Sequence, residues 1–314
     1  KFNKIDALVL SRMVYLPFEN ILKEEKTLKE VLEKFLTSKK NLKNVIMKED
    51  IELAKELLKS SRFYKLKISN YVNNIDLETE KQFSAITVKL NSNTKIVVFR
   101  GTDSSVIGWK EDFNMSFKTH IPAQLEAKEY LKKIMEEDDS DIIIAGHSKG
   151  GNLSIYSAIF IDDFYKDRII KIYNFDGPGF NEEIVKDSGY EKILDKIETY
   201  IPQSAVVGIL LERKEKPNII LSNEKYIMQH DIYSWNIERT DFIYADTISK
   251  ESEIIGENVR LWLGKVTADE RKEFIDSLFN TISGVNSDIK EIITNWQNSI
   301  SLFIKPTKEP VLKD

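Results

Sequence analysis

The spacing of apolar residues separates the chain into helical and extended stretches. Apolar positions recur every three to four residues in residues 1–65, which predicts a helical entry region packed on the main sheet. From Gln82 the period becomes that of extended chain, and the runs at 83–88 and 95–99 flank a turn signal at 91–93. This second pattern predicts a β-hairpin.

Strands and helices are predicted to alternate through the middle of the chain. The spacing predicts a helix at 123–137, a strand at 142–145, a helix at 152–161 and a strand at 169–175. Alternation at these lengths is typical of parallel βαβ units, whose functional residues lie at the carboxyl ends of the strands. Strands or loop edges are then predicted at 196–201, 206–212 and 218–222.

The last part of the chain returns to helical spacing. Thr267 and Glu270 predict a capping box, and we expect the apolar stripe after it to face the core, against the alternative of a membrane or partner surface. The stripe consists of Phe274, Ile275, Leu278, Phe279 and Ile282.

Composition and charge exclude several classes of function. The chain has 314 residues, enough to bury a large core, and no cysteine, which excludes disulfides, zinc–thiolate sites and cysteine nucleophiles. Its formal net charge is −5, and positive and negative residues are interspersed, so no nucleic-acid partner is expected.

We expect a cytoplasmic protein without a stable membrane span, because no run of about 18 apolar residues and no secretion signal is visible. The chain begins at Lys1 rather than methionine, which leaves a trimmed N-terminus open.

The segment 141–151, Asp-Ile-Ile-Ile-Ala-Gly-His-Ser-Lys-Gly-Gly, carries the clearest chemical signal. A β-branched run ends in Gly-x-Ser-x-Gly and opens into a helical pattern. A serine at such a sharp strand-to-helix turn needs neighbours without side chains, and Gly146 and Gly150 meet that need. Ser148 is therefore predicted to be a nucleophile, against the alternative of a glycine-rich turn with an incidental serine.

A serine hydroxyl needs a base, which is usually histidine, and the chain has three histidines. His147 precedes Ser148 and should point away from it as a packing or rim residue, and His120 lies upstream. His230 lies downstream, where α/β hydrolases place their histidine, so we predict that it is the general base.

Asp176 is the predicted acid that orients the base. It follows the extended run 169–175 and begins a tight Asp-Gly-Pro-Gly turn, and the alternative is an aspartate that only caps this turn. Asp231 should be directed elsewhere, and Asp241 and Asp246 lack a positional argument.

Two groups of donors are predicted to hold an oxyanion. The amide of Lys149 follows the nucleophile directly. A strand in Val97-Val-Phe-Arg-Gly-Thr-Asp ends at Arg100, and Gly101 lets the chain turn toward the site. Thr102 would offer its amide and hydroxyl there. The alternative is an ordinary strand-end turn.

Apolar residues after Thr102 would form a lid, an acyl pocket or buried core: Val106, Ile107, Trp109, Phe113 and Phe117.

Three of these segments, taken in order, resemble the class 3 lipase family of α/β hydrolases: Val97–Asp103, Trp109 with Asp112, and Ile144–Asn152. The closer resemblance is to an uncharacterised bacterial family of lipase-like hydrolases, and it lies in Asp6–Arg12, Asn174–Phe180, Tyr200–Ser204 and Met228–Asp231. The resemblance spans roughly residues 5–240. It implies a serine hydrolase with Ser148 as nucleophile, Thr102 in the oxyanion loop and His230 as base.

One departure from the class 3 pattern concerns the acid. In class 3 lipases the acid lies on the loop after a later strand, and the matching stretch Tyr200–Val207 contains Ser204 and no aspartate. Either Asp176 supplies the acid, a position that other lipases of this fold use, or the site works as a weaker dyad.

The sequence thus predicts one α/β-hydrolase domain over residues 1–314, with a mostly parallel sheet. Its parts are a helical region 1–65, a catalytic core 82–245 and a C-terminal helical region 250–305 packed on the core. The predicted activity is cleavage of a small acyl ester or lipid through an acyl-enzyme, with no metal or organic cofactor. The alternatives are a weak or inactive hydrolase-fold protein that binds a ligand or protein partner, and a peptidase or thioesterase with the same triad.

Overall fold

An eight-stranded sheet forms the centre of the computed structural model, which describes residues 1–76, 78–102, 111–112, 114–115, 118–267 and 269–273. The strands lie side by side in chain order as β1 (Lys26–Thr27), β2 (Lys67–Asp76), β3 (Lys81–Lys89), β4 (Thr94–Phe99), β5 (Asp141–His147), β6 (Ile169–Phe175), β7 (Ile197–Pro202) and β8 (Asn218–Ile220). Neighbours from β1 to β4 are antiparallel, and neighbours from β4 to β8 are parallel. A separate ribbon pairs β9 (Ile237–Glu238) with β10 (Asp241–Phe242).

Helices cover both faces of the sheet. In chain order they are α1 (Lys4–Met13), α2 (Leu28–Thr37), α3 (Lys39–Lys43), α4 (Glu49–Lys59), α5 (Pro122–Glu137), α6 (Lys149–Phe160), α7 (Asp163–Lys166), α8 (Glu182–Val185), α9 (Ser188–Glu191) and α10 (Lys250–Lys265). Among the described residues, no helix has both the length and the apolar character needed to span a bilayer.

Alternate residues of the central strands supply two separate apolar cores. On β5, Ile143 and Ala145 pack in the core that holds α1, α2 and α4, whereas Ile142 and Ile144 pack in the core that holds α5 and α6. Successive side chains on a strand point to opposite faces, so a continuous apolar run is buried on both sides. The run at 142–145 therefore forms a central strand.

A buried ion pair joins two of the N-terminal helices, and a tyrosine from a later segment binds to it. The guanidinium of Arg12 on α1 donates to Asp50 on α4, with Nε–Oδ1 and Nη2–Oδ2 distances of 2.6 and 2.7 Å. The hydroxyl of Tyr233 also donates to Asp50 Oδ1, at 3.0 Å. A buried charge needs such partners, so α1, α4 and the chain around Tyr233 are held together.

The structure confirms most of the predicted elements and corrects one. Helices α1 to α4 lie in residues 1–65, β3 and β4 form the predicted hairpin, and β6 has the predicted bounds. Strand β2 was not predicted, and it extends the sheet beyond the expected core boundary at residue 82. Its pairing with β3 shifts between Ser69 and Val72, and Asn70 has a φ of 54°, so regular alternation is broken there.

Two further outcomes concern residues after β7. Within 206–212 only Glu212 pairs, in an isolated bridge with Phe180, so of the two predicted alternatives this run is a loop edge and not a strand. Of the C-terminal helical region, the structure describes α10 and the Thr267–Glu270 capping box, in which the Thr267 amide donates to Glu270 Oε2 at 2.7 Å. The apolar stripe 274–282 and the five apolar residues proposed as a lid lie outside the described residues.

A sharp turn joins β5, in the parallel part of the sheet, to α6, and the motif around Ser148 lies at this turn. A mostly parallel sheet with flanking helices and a serine at this turn is the α/β-hydrolase fold, which confirms the predicted fold class.

Candidate active site

Ser148 lies at the turn from β5 into α6, with backbone angles φ 57° and ψ −131°. Residues other than glycine rarely adopt positive φ, so the surrounding contacts must hold this conformation. The Ser148 amide donates to the carbonyl oxygen of Phe175 on β6 at 2.9 Å. A Cβ on Gly146 would lie 2.1 Å from the Gly150 oxygen, and one on Gly150 would lie 2.2 Å from the Phe99 oxygen. Both glycines are therefore required for the close approach of three backbone segments.

His230 and Asp176 meet although they are far apart in the chain. The Nδ1 atom of His230 lies 2.6 Å from Oδ2 of Asp176, which follows β6 and is fully buried. A carboxylate accepts, so Nδ1 carries the hydrogen and Nε2 is left to act as a base. Burial raises the pKa of Asp176, and the hydrogen bond with His230 lowers it.

The turn after β6 does not use the Asp176 side chain as its cap. Asn174 Oδ1 accepts the Gly177 amide at 2.9 Å, and the Asp176 amide donates to Tyr200 on β7 at 2.8 Å. A Cβ on Gly208 would lie 2.1 Å from Asp176 Oδ1, so the loop after β7 packs closely on the carboxylate. The side chain of Asp176 is thus free to orient His230.

The segment 226–235, here called the base loop, is held by its own polar side chains. Gln229 Oε1 accepts the Ser204 amide at 2.8 Å, and the indole of Trp235 donates to the Gln229 carbonyl at 2.7 Å. His230 remains 22% exposed, which is compatible with access of a substrate. Among the described residues, the Ser148 hydroxyl makes no hydrogen bond to the His230 ring, a contact that in unliganded hydrolases is often long.

The chain after β4 lies beside Ser148. A Cβ on Gly101 would be 3.0 Å from the Ser148 Cβ, which places residues 101–102, here called the oxyanion loop, against the elbow. The Thr102 hydroxyl donates to Asp112 Oδ2, so its single hydrogen is already used and only its amide is left as a donor. The Lys149 amide begins α6, where helical amides lack an intrahelical acceptor. These two amides are the candidates for an oxyanion hole.

A protein-family model described as Mbeg1-like matches residues 57–280. The chain belongs to the Mbeg1-like family. The family and the fold confirm the predicted lipase-like α/β-hydrolase, while the resemblance to class 3 lipases and the closer one to a bacterial family stay predictions. No curated protein sequence matches the Mbeg1-like chain.

Solved lipase structures are similar to the Mbeg1-like chain at low identity. A fungal lipase–inhibitor complex is 13% identical, with 69% of this chain and 78% of that chain covered and a TM-score of 0.44. A mutant form of MDLA from Penicillium cyclopium is 12% identical, with 76% and 84% covered and a TM-score of 0.43. Lipase II from Rhizopus niveus is 17% identical, with 50% and 67% covered and a TM-score of 0.37.

The Mbeg1-like chain also contains a buried ionic cluster that sequence reasoning missed. The Lys149 ammonium, on the residue after Ser148, donates to Glu111 Oε2 at 2.9 Å and to the Gln82 side-chain and backbone oxygens at 2.9 and 3.0 Å. Asp112 Oδ1 lies 3.7 Å from the same nitrogen. Burial raises the pKa of Asp112 to about 6, although Lys149 and the Thr102 hydroxyl lower it. The sequence does contain one signal for this cluster, which is a lysine at the start of an otherwise apolar helix. A cation that is buried there needs carboxylates nearby.

The remaining titratable candidates of the Mbeg1-like chain make hydrogen bonds with groups other than Ser148, His230 and Asp176. His120 Nδ1 shares a hydrogen bond with the Tyr156 hydroxyl at 2.8 Å, and Asp231 Oδ1 accepts the Tyr233 amide at 3.0 Å. Asp241 accepts from Lys4 at 2.9 Å. In the part of the chain that the structure describes, no group of three or more histidine, aspartate or glutamate side chains could hold a metal ion.

Substitution of Gly150 by alanine should destabilise the elbow. Its Cβ would lie 2.2 Å from a backbone oxygen that cannot move alone, and we expect the free energy of unfolding to fall by about 1–3 kcal/mol. Gly256→Ala on α10 is the matched control, because that Cβ would make an ordinary 3.5 Å contact with Ile209. Urea denaturation measures both, and equal stability of the two variants would contradict the close approach at residue 150.

Proposed function

We propose that this Mbeg1-like protein is a serine hydrolase that cleaves a carboxylic ester of a small or lipid substrate through an acyl-enzyme. The observation that carries the proposal is the Asp176–His230 pair, which lies on the loops that flank a serine held in a strained strand-to-helix turn. Strained backbone and a buried carboxylate bound to a histidine are features that folding alone does not require.

Each step of the proposed reaction has a residue to perform it. His230 Nε2 removes the proton from Ser148 Oγ, which attacks the ester carbonyl and forms a bond to its carbon. The amides of Thr102 and Lys149 donate to the oxyanion that forms. Asp176 stabilises the imidazolium, which then gives its proton to the leaving alcohol. Water, activated by His230, hydrolyses the acyl-enzyme and regenerates Ser148.

The alternative of an inactive hydrolase-fold protein rested on the missing aspartate in Tyr200–Val207. The contact of Asp176 with His230 provides a carboxylate from the neighbouring loop, and this contact favours an active site over a ligand-binding one. The loop after β7 instead contributes its backbone, through Ser204 and Gly208, to the surroundings of the base and acid.

A fluorophosphonate probe tests the proposal directly, because it reacts with serines that a neighbouring base activates. We expect covalent labelling of the wild type and of Ser157→Ala, a control that removes another buried hydroxyl from α6. Ser148→Ala should not be labelled. Mass spectrometry of the labelled peptide identifies the site, and the proposal is wrong if the wild type carries no label on Ser148.

A further inference from the structure

His147 has no part in the reaction proposed above, yet it lies directly behind the base. Its side chain is 5% exposed, and its ring centroid lies 4.6 Å from that of His230 with 34° between the ring planes. Trp235 of the base loop and Tyr15, just after α1, both have ring centroids 6.3 Å away. The ring thus fills the space between α1 and the base loop rather than lying at the rim of the site.

Two hydrogen bonds fix where the proton of the His147 ring lies. Nε2 is 2.8 Å from the carbonyl oxygen of His230, and because a carbonyl only accepts, Nε2 carries the hydrogen. Nδ1 is 3.3 Å from the hydroxyl oxygen of Tyr15 and accepts from it. Burial, followed by the nearby His230, lowers the pKa of His147 well below its ordinary value of 6.5. The ring is therefore neutral and held in one tautomer.

Tyr15 extends this contact to the oxyanion loop. Its side chain is buried, and a Cβ on Gly101 would lie 2.2 Å from the Tyr15 hydroxyl, so the loop backbone packs on that oxygen. The guanidinium of Arg12 lies 4.6 Å from the Tyr15 ring centroid and is itself bound to Asp50. Contacts therefore run continuously from α1 through Tyr15 to both loops that flank the nucleophile.

We propose that His147 is a positioning residue whose Nε2–H holds the backbone of His230 while Asp176 holds the His230 ring. This inference rests on the proposed function. A ring bound only through Nδ1 can still rotate and shift with its loop, whereas a second bond at the carbonyl oxygen fixes the position of Nε2 relative to Ser148. A shift of about 1 Å in a catalytic group can lower a rate about 10²-fold.

Three substitutions of His147 separate its hydrogen bonds from its volume. His147→Phe keeps a ring and removes both bonds, and we expect kcat for a chromogenic ester to fall about 10²-fold with little change in KM. His147→Gln places an amide N–H near the position of Nε2 and should recover most of kcat. His147→Asn places its amide near Nδ1 instead, so it should remain as slow as His147→Phe. The thermal midpoint of each variant is measured alongside.

The outcomes distinguish this inference from the proposed function. A wild-type kcat in His147→Phe would overturn the positioning role. The role would also be wrong if kcat in His147→Gln and His147→Asn fell in proportion to their thermal midpoints, whichever hydrogen bond each variant retains. If the wild type shows no labelling of Ser148, the proposed function has failed instead.

A measurement on the wild type needs no variant to fold. Nitrogen NMR of the three imidazole rings should show one histidine whose hydrogen lies on Nε2 and which stays neutral well below the ordinary pKa of a histidine. A neutral His147 ring with its hydrogen on Nδ1 would overturn the inference, because Nε2 would then have no hydrogen to donate to the His230 carbonyl.

Discussion

Asp176→Asn should lower the kcat for ester hydrolysis about 10⁴-fold while the protein stays folded. The carboxylate accepts the hydrogen on His230 Nδ1 at 2.6 Å, which leaves Nε2 unprotonated. An asparagine amide can donate to Nδ1, and the hydrogen then moves to Nε2, where it prevents His230 from acting as a base. The substituted carboxylate would also no longer stabilise the imidazolium in the transition state. Steady-state kinetics with a chromogenic ester measure the loss, and circular dichroism checks the fold.

Asp231→Asn is the matched control for this substitution. It removes the same charge one residue from His230, but its side chain accepts the Tyr233 amide rather than the imidazole. We expect kcat to stay within about 3-fold of the wild type, as for a residue that makes no contact with the reacting groups. Unchanged turnover in Asp176→Asn would reassign the acid, and a loss in Asp231→Asn of similar size would show that charge near the base loop, not orientation, is decisive.

The sequence predicted the nucleophile turn because the signal is local. Gly146, Ser148 and Gly150 occupy one turn, and their spacing reflects contacts made within five residues and with the strand ends beside them. The partner of His230 was harder to predict, because Asp176 is 54 residues away and the choice depended on which strand neighbours β5. The order of strands supplied that information, since β6 follows β5 in both sequence and space.

Other features depended on tertiary contacts that no local pattern records. The Thr102 hydroxyl was expected to face the oxyanion, but it donates to Asp112, ten residues later. His147 was expected to point away as a packing or rim residue, and its burial against His230 became visible only with the base loop in place. Strand β2 could not be predicted from its sequence pattern, because that pattern is polar and irregular and the strand is defined by its pairing with β3.

Lys149→Met should lower the free energy of unfolding by about 3–5 kcal/mol, because it leaves a buried carboxylate without its cation. Glu111 is fully buried and accepts the Ala123 amide as well as the Lys149 ammonium, so the pair joins the elbow to the start of α5. Adding Glu111→Gln to Lys149→Met should recover much of the loss, since no unpaired charge then remains. Lys59→Met removes an exposed partner of Glu56 and should leave stability almost unchanged, because water screens an exposed pair.

The loss in Lys149→Met should also depend on pH, and the direction follows from Asp112. Burial raises the pKa of Asp112 to about 6, while Lys149 is the largest influence that lowers it, so removing Lys149 raises it further. A carboxyl group whose folded pKa lies above its unfolded value binds more protons in the folded state, and its contribution to stability declines as pH rises through that window. Urea denaturation should therefore show a larger loss at about pH 8 than at about pH 5. An equal loss of stability at the two pH values would mean that the pKa of Asp112 does not depend on the Lys149 charge. Asp112 binds the Thr102 hydroxyl, so Thr102 would then have no electrostatic connection to Lys149 through this carboxylate.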